Sequence, residues 1–138
     1  MSCSCCTPES LSKMKCYCDS GLSFDCCCNQ FLSNTTSPIT AEQLMRSRYS
    51  AYCTLNLKYL NTTATGHALE QTPKYIEPFN WQSLSILSKE LGKEHDLTGT
   101  VEFKATFEQN GRLYSLHEIS QFQKIDGQWF YADGLRLS

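Results

Sequence analysis

Apolar and polar residues alternate with a period of two in the last third of the chain. Val101, Phe103, Ala105 and Phe107 are separated by charged or hydroxyl side chains, a pattern that predicts a half-buried β-strand. Two dipeptides typical of two-residue hairpin loops follow, Asn110-Gly111 and Asp126-Gly127. The sequence therefore predicts three consecutive antiparallel strands over residues 98–109, 112–125 and 128–134.

The middle of the chain has helical periodicity instead. Thr40 and Gln43 fit a capping box at the start of a first helix. Its apolar stripe comprises Leu44, Met45, Tyr49, Tyr52 and Cys53. A second helix is predicted over 55–61, a loop over 62–78, and a third helix over 80–91 that ends at Gly92. Its apolar side would comprise Trp81, Leu84, Leu87 and Leu91. Helices followed by a strand meander predict an α+β fold, with helices packed on one face of a curved antiparallel sheet.

The two hairpin loops also predict which strand residues share the inner face, because opposed residues point to the same side of a sheet. Phe103 should face Glu118, and Ser120 should face both Val101 and Asp133. Phe122 should face Tyr131. The inner face is then apolar except for Glu118, Ser120 and Asp133.

Polar groups on an apolar face need partners, and Arg46 and Arg48 on the first helix are the candidates. One interpretation is a buried arginine–carboxylate pair that anchors the helix to the sheet. The other is a small-ligand pocket between helices and sheet, in which Glu118 could act as a base. His117 should lie on the opposite face, where a structural or exposed position is a simpler interpretation than a catalytic role. The pocket or ion-pair candidates are Arg46, Arg48, Glu118, Ser120, Tyr131 and Asp133.

The composition favours one ordinary domain with a small appendage, since the chain has 138 residues and 41% hydrophobic residues. A net charge of −2 gives no general attraction to nucleic acid. No apolar run reaches the roughly 18–20 residues of a membrane span, and the polar N-terminus lacks a signal-peptide core. We therefore expect a cytoplasmic protein.

Cysteine usage is strongly asymmetric. Eight of the nine cysteines lie in the first 28 residues, and this clustering favours a local metal site over a disulfide framework. Two close pairs on a short turning segment can supply the four ligands of tetrahedral zinc. We expect a disordered tail at 1–15, a zinc module at 16–31 and the α+β domain at 32–138. The tail carries Cys3, Cys5 and Cys6, which could bind a second metal together with Cys26 or be acylated; a plain thiol-rich tail is the simpler interpretation.

Residues 16–28, which we call the cysteine segment, resemble the SEC-C zinc motif. The usual form of that motif is Cys-Pro-Cys-Gly-Ser-Gly, then a tyrosine and a terminal Cys-Cys or Cys-His pair. The resemblance implies a structural zinc ion, and the ligands that it implies are Cys16, Cys18, Cys27 and Cys28. Cys26 lies outside this set. Tyr17, Asp19 and Phe24 depart from the motif. Asp19 is the most consequential departure, because it adds a Cβ atom and a charge where the motif has glycine.

The rest of the chain resembles the bacterial YchJ family of uncharacterised SEC-C proteins, in segments 40–52, 116–122 and 126–134. The resemblance implies a nuclear-transport-factor-two-like, or cystatin-like, cone. That fold hosts isomerases, dehydratases and binding modules, so it does not decide function. In the secretion ATPase SecA a similar zinc module contacts the chaperone SecB, which suggests a protein partner for the module here.

Two functional hypotheses follow. The first is a binding or adaptor module with structural zinc, because four thiolates leave no coordination position for water; this favours a non-enzymatic protein. The second is a small-molecule binder or enzyme that uses a pocket around Glu118. The first is supported by the four-cysteine pattern, and the second by polar residues on an apolar sheet face.

Overall fold

One antiparallel sheet dominates the structure, a computed structural model that describes residues 14–137. Its strands follow the order β1-β2-β3-β4, each paired with its neighbour in sequence. The strands are β1 (Asn80–Leu91), β2 (Thr98–Gln109), β3 (Arg112–Ile125) and β4 (Gln128–Arg136). A 3-10 turn at Phe24–Cys26 and four helices precede them: α1 (Asn29–Leu32), α2 (Ala41–Cys53), α3 (Leu57–Thr62) and α4 (Gly66–Glu70). The predicted α+β fold is confirmed.

The N-terminal tail predicted at 1–15 lies outside the described residues except for its last two. The Met14 carbonyl accepts a hydrogen bond from the Phe24 amide, and Lys15 forms an isolated antiparallel bridge with Ser23. These two residues are therefore ordered by backbone contacts with the cysteine segment that follows them. No helix within residues 14–137 is both long and apolar enough to cross a membrane.

Helix α2 begins as its capping signal predicts. The Thr40 hydroxyl accepts a 3.1 Å hydrogen bond from the Gln43 amide. The Gln43 side chain reaches back to accept from the amide of Ile39 at 2.9 Å. Together they satisfy two backbone donors at this end of the helix, which fixes where α2 starts.

The third predicted helix, over 80–91, is wrong: this segment is strand β1, paired antiparallel with β2. Two register shifts interrupt β1, between Trp81 and Ser83 and between Ile86 and Ser88. Such bulges break the two-residue alternation of a strand, so its apolar positions imitated a helical period. Leu87 and Leu91, predicted to be inward, are exposed. The predicted three-strand meander is therefore a four-strand sheet.

The register predicted between the second and third strands is confirmed. Phe103 faces Glu118, and Val101 faces Ser120. In the last hairpin Phe122 faces Tyr131 as expected. The predicted pairing of Ser120 with Asp133 is wrong, because a register shift beside Phe122 makes Ser120 face Gly134 and Gln121 face Asp133.

The core lies between the inner sheet face and α2. Its largest fully buried side chains are Trp129, Phe122, Leu44, Leu60 and Val101. The Trp129 indole N–H donates to the Ile39 carbonyl at 3.1 Å, so the segment before α2 is tied to β4. Burial of these side chains positions α2 across the sheet, and two sites depend on that placement.

Candidate metal centre and inner cavity

Four cysteine sulfurs lie together at the N-terminal end of the described chain. The Sγ atoms of Cys16, Cys18, Cys27 and Cys28 all lie within 4.8 Å of one another. Those of Cys18 and Cys27 are 3.6 Å apart, close to the roughly 3.8 Å between sulfurs that bind one tetrahedral zinc ion at about 2.3 Å. The four side chains thus suit a single zinc ion, and the resemblance to SEC-C proteins implied the same four.

Local backbone geometry brings the two cysteine pairs together. The Cys16 amide donates to the Leu22 carbonyl at 2.8 Å, which closes a tight turn. Within the turn Asp19 and Gly21 have φ angles of 62° and 88°. The 3-10 turn at Phe24–Cys26 then presents the second pair, Cys27 and Cys28, to the first. Asp19 occupies a left-handed conformation that favours glycine, as expected from the glycine of the motif.

Neighbouring hydroxyl groups contact the sulfur cluster. The Ser20 hydroxyl lies 3.2 Å from Cys27 Sγ, and the buried Ser50 hydroxyl of α2 lies 3.7 Å from Cys16 Sγ. Hydrogen bonds from the thiols of Cys16, Cys27 and Cys28 lower the pKa of Cys18. The cluster therefore favours a first thiolate, and a bound cation would favour the others.

Arg46 joins the cysteine segment to helix α2. Its guanidinium donates to the Cys18 carbonyl at 2.7 Å and to the Glu42 carboxylate at 2.9 Å. Glu42 also binds Lys89 of β1 at 2.7 Å. Burial alone would raise the pKa of Glu42, but hydrogen bonds from Lys89 and Arg46 lower it overall. Arg46, one of the pocket candidates, is thus part of the contact between cysteine segment, helix and sheet.

A cavity of about 590 Å³ lies between α2, the segment before β1 and the inner sheet face. Ten of the residues that line it are aromatic. Phe79 stacks on Phe107 with ring centroids 4.4 Å apart, and Phe107 stacks on Tyr114 at 5.4 Å. Trp81 packs edge-on against Phe107. We call this space, whose walls also include Arg48, Glu118, Ser120 and Tyr131, the inner cavity.

Glu118 is the more buried of the two carboxylates that line the inner cavity, the other being Glu77. Its Oε2 atom accepts hydrogen bonds from the Ser120 hydroxyl at 2.7 Å and from the Tyr131 hydroxyl at 2.8 Å. Its Oε1 atom lies 3.9 Å from Arg136 Nε, which is longer than a hydrogen bond. Burial, and then the negative charge of Glu118, raise the pKa of Tyr131. The two hydroxyl groups therefore orient the carboxylate through Oε2 and leave Oε1 without a hydrogen bond among the described residues.

Arg48 is buried against the face of the Tyr131 ring. Its Nη1 atom donates to the Leu60 carbonyl at 2.9 Å and to the Thr63 hydroxyl at 2.8 Å. Its Cζ atom lies 4.6 Å from the centroid of the Tyr131 ring, a cation–π distance. Burial lowers the pKa of Arg48. Among the described residues it forms no ion pair, so Glu118 and Arg48 do not seal the cavity.

Comparison with known proteins identifies the family of this chain. Residues 40–134 match the family model described as "YchJ, middle NTF2-like domain". The chain belongs to the YchJ family. The UPF0225 protein of Geobacter sulfurreducens is 36% identical to this YchJ-family chain over 124 residues, which cover 86% of this chain and 77% of the relative. The UPF0225 protein of Streptomyces coelicolor is 39% identical over 121 residues, which cover 86% and 93%.

Two solved structures resemble this YchJ-family chain. The solution structure of a SEC-C motif containing protein from Rhodopseudomonas palustris has a TM-score of 0.76 and 32% identity, and covers 91% of this chain and 100% of that one. The crystal structure of a SEC-C motif containing protein from Psychrobacter arcticus has a TM-score of 0.67 over 90% and 82%; at 23% identity it shows the fold alone. Both the suspected family and the SEC-C resemblance are confirmed.

The structure separates the six pocket or ion-pair candidates. Arg48, Glu118, Ser120 and Tyr131 line the inner cavity. Arg46 binds Glu42 and the cysteine segment instead. The irregular register moves Asp133 out of the cavity, and its Oδ1 atom lies 3.0 Å from His67 Nδ1. His117 lies on the opposite sheet face, as predicted, and binds Glu102 at 2.7 Å.

Gly134 shapes the polar end of the inner cavity, a role that was not predicted from the sequence. A Cβ atom at this position would lie 2.5 Å from Glu118 Oε2 and would also collide with the Tyr131 hydroxyl. The missing side chain leaves the space in which these two groups meet. The resemblance included Gly134 within segment 126–134, but its role depends on the register shift that places it opposite Ser120.

Proposed function

We propose that this protein binds a small organic molecule in the inner cavity and that its four clustered cysteines hold one structural zinc ion. The proposal of ligand binding rests on the hydrogen-bond partners of Glu118. A sealed arginine–carboxylate pair would have favoured a purely structural role for the polar residues. Instead Glu118 lines a cavity and, within residues 14–137, accepts hydrogen bonds only from hydroxyl groups, and its one ion pair there is a 3.9 Å contact with the exposed Arg136.

The cavity has the features of a ligand site. Its volume falls within the range of about 300–1,000 Å³ typical of small-molecule pockets, whose walls are mostly apolar with a few placed polar groups. Stacked rings of Phe79, Phe107 and Tyr114 form an apolar wall suited to a planar ligand. The polar groups meet at the Glu118–Tyr131 hydrogen bond, which would orient that ligand.

The cysteine cluster supports a structural metal. Four thiolates complete a tetrahedral shell, whereas catalytic zinc keeps a position for water or substrate. The segment that carries the cysteines has few apolar residues of its own, so metal binding would supply much of its folding free energy. Its contacts through Arg46 and Ser50 would then hold helix α2, whose other face lines the cavity.

Ligand access can be tested with a neutral fluorescent probe, N-phenyl-1-naphthylamine, on the full-length protein. We expect saturable fluorescence enhancement in the wild type. Ala105 is buried and lines the cavity, so Ala105→Met should fill the space and weaken the probe's affinity at least about tenfold, or about 1.4 kcal/mol. Lys104→Met, on the exposed face of the same strand, is the matched control and should bind as the wild type does.

Circular dichroism and thermal unfolding would verify that both variants fold, because overpacking can cost about 1–3 kcal/mol. Absence of saturable probe binding in the wild type would overturn the proposed cavity function. Equal affinity in a folded Ala105→Met variant and in Lys104→Met would do the same, since the probe would then bind elsewhere.

A protein-contact role for the cysteine segment is the second candidate. Exposed apolar side chains on this segment and just before it favour this role: Met14, Tyr17 and Leu22. A photo-crosslinking residue at position 22 should capture one defined partner in the native cell, whereas the same residue at exposed position 62 should not. Identical products from both positions would count against an adaptor function.

A further inference from the structure

Four charged residues line the inner cavity. Glu77 and Arg136 are exposed, whereas Arg48 and Glu118 are largely buried and do not pair with each other. Arg48 is only 7% exposed, and the Glu118 side chain is 12% exposed. Tyr131 contacts both groups, because its ring face lies against the Arg48 guanidinium and its hydroxyl donates to Glu118. The same side chain therefore contacts both charged groups, which form no ion pair with each other.

Both groups also retain unused hydrogen-bonding capacity. Arg48 uses Nη1 for the Leu60 carbonyl and the Thr63 hydroxyl, while its Nε and Nη2 atoms have no hydrogen-bond acceptor among residues 14–137. Glu118 uses Oε2, and its Oε1 atom has only the distant Arg136. Burying a charge is costly unless hydrogen bonds compensate it. A ligand that accepts hydrogen bonds from Arg48 and donates one to Glu118 would therefore be stabilised in the cavity.

We infer that the ligand of the inner cavity is an aromatic compound whose head group both accepts hydrogen bonds from Arg48 and donates one to Glu118, as a primary carboxamide does. This inference rests on the proposed cavity function. A head group that is only an anion would be repelled by Glu118, and one that is only a cation would be repelled by Arg48. Specificity of this kind combines attraction with penalties for the wrong charge.

Three compounds with the same indole body isolate the head group: indole-3-acetamide, indole-3-acetate and tryptamine. Each would compete with N-phenyl-1-naphthylamine for the full-length protein. We expect the inhibition constant of the amide to be at least tenfold lower than those of the anion and the cation. Equal or stronger competition by either charged compound would overturn the inference, as would no competition by the amide.

The probe itself separates the two proposals. If it binds the wild type but the three head groups compete equally, the cavity function stands and the head-group inference fails. If the probe does not bind at all, the cavity function fails and the inference fails with it.

Glu118→Gln removes one charge with little change of shape. In this variant we expect indole-3-acetate to compete at least fivefold better than in the wild type, and tryptamine at least fivefold worse. Arg48→Met should weaken the amide at least tenfold; should that variant not fold, Glu118→Gln alone decides. His117→Gln, on the opposite sheet face, is the matched control and should leave all three constants unchanged. Unchanged anion and cation constants in Glu118→Gln would refute a role for this carboxylate.

Discussion

The carboxylate of Asp19 accepts a 3.0 Å hydrogen bond from the backbone amide of Leu84, 65 positions later in the chain. Leu84 lies in β1, the edge strand whose outer side pairs with no other strand of the described sheet. Asp19 has a φ of 62°, a conformation in which a side chain is strained. The residue that departs most from the glycine of the SEC-C motif therefore links the cysteine segment to the sheet.

Substitutions at position 19 should test whether this hydrogen bond contributes to stability. Asp19→Asn keeps an acceptor, and we expect a free energy of unfolding within about 0.5 kcal/mol of wild type. Asp19→Ala removes the acceptor and also adapts less well to the positive φ, so it should destabilise by about 1–3 kcal/mol, chiefly because the Leu84 amide loses its partner. Urea unfolding measures both. Equal stability of the Asn and Ala variants would show that the hydrogen bond contributes nothing.

Metal content should depend on position within the cysteine run. We expect about one zinc per wild-type chain by elemental analysis, and a loss of most of it in Cys27→Ser, because hydroxyl oxygen is a poor replacement for a thiolate ligand. Cys26→Ser is the neighbouring control outside the four-sulfur cluster and should retain the metal. Removal of zinc with a chelator should lower the thermal midpoint of wild type. Unchanged zinc in Cys27→Ser would refute the proposed ligand set.

A methyl group at position 134 should disturb the polar end of the inner cavity. Gly134→Ala places a Cβ atom against Glu118 and Tyr131, so their hydrogen bond should break and the variant should lose about 1–3 kcal/mol of stability. Gly127→Ala is not a matched control, because Gly127 has a positive φ; Ala132→Gly, two positions away, controls for a small change in the same strand. Wild-type stability and unchanged probe binding in Gly134→Ala would contradict this account.

The phenol of Tyr131 should lose its proton at a higher pH than an ordinary tyrosine does. Burial and the charge of Glu118 raise its folded-state pKa above the ordinary value of 10.0. Above pH 10 the unfolded chain then loses this proton before the folded chain does, so the stabilising contribution is complete below pH 10 and declines as pH rises toward the folded pKa. Absorbance at 295 nm, compared between wild type and Tyr131→Phe, isolates this group. A difference titration centred at or below pH 10 would contradict the raised pKa.

The contact between Glu102 and His117, on the opposite sheet face, should lower the pKa of the Glu102 carboxyl group. The hydrogen bond from His117, and then that from Ser88, lower the pKa of Glu102. Its contribution to stability is therefore present above the unfolded-state pKa and is lost as pH falls through the folded one. NMR titration of the Glu102 carboxyl carbon should show a higher pKa in His117→Gln than in wild type. An unchanged pKa would show that the contact with His117 does not stabilise the carboxylate.

Local signals in the sequence predicted the features that depend on neighbouring residues. Thr40 and Gln43 located the start of α2, and Asn110-Gly111 fixed the register of β2 with β3. The spacing of the cysteines, together with the SEC-C resemblance, selected the four whose sulfurs converge. Caps and two-residue turns need only a few adjacent residues to satisfy their hydrogen bonds and φ angles, so they can be read without the rest of the fold.

Only the tertiary structure decided the features that depend on distant partners. Bulges in β1 removed the alternation by which a strand is recognised, and pairing with β2 overrode the helical pattern. One irregular position beside Phe122 moved Asp133 out of the predicted polar cluster and put Gly134 beside Glu118. Arg46 and Arg48 look equivalent in the sequence, yet one holds the cysteine segment and the other lines the cavity. Side-chain partners are set by packing between remote segments, which local periodicity does not encode.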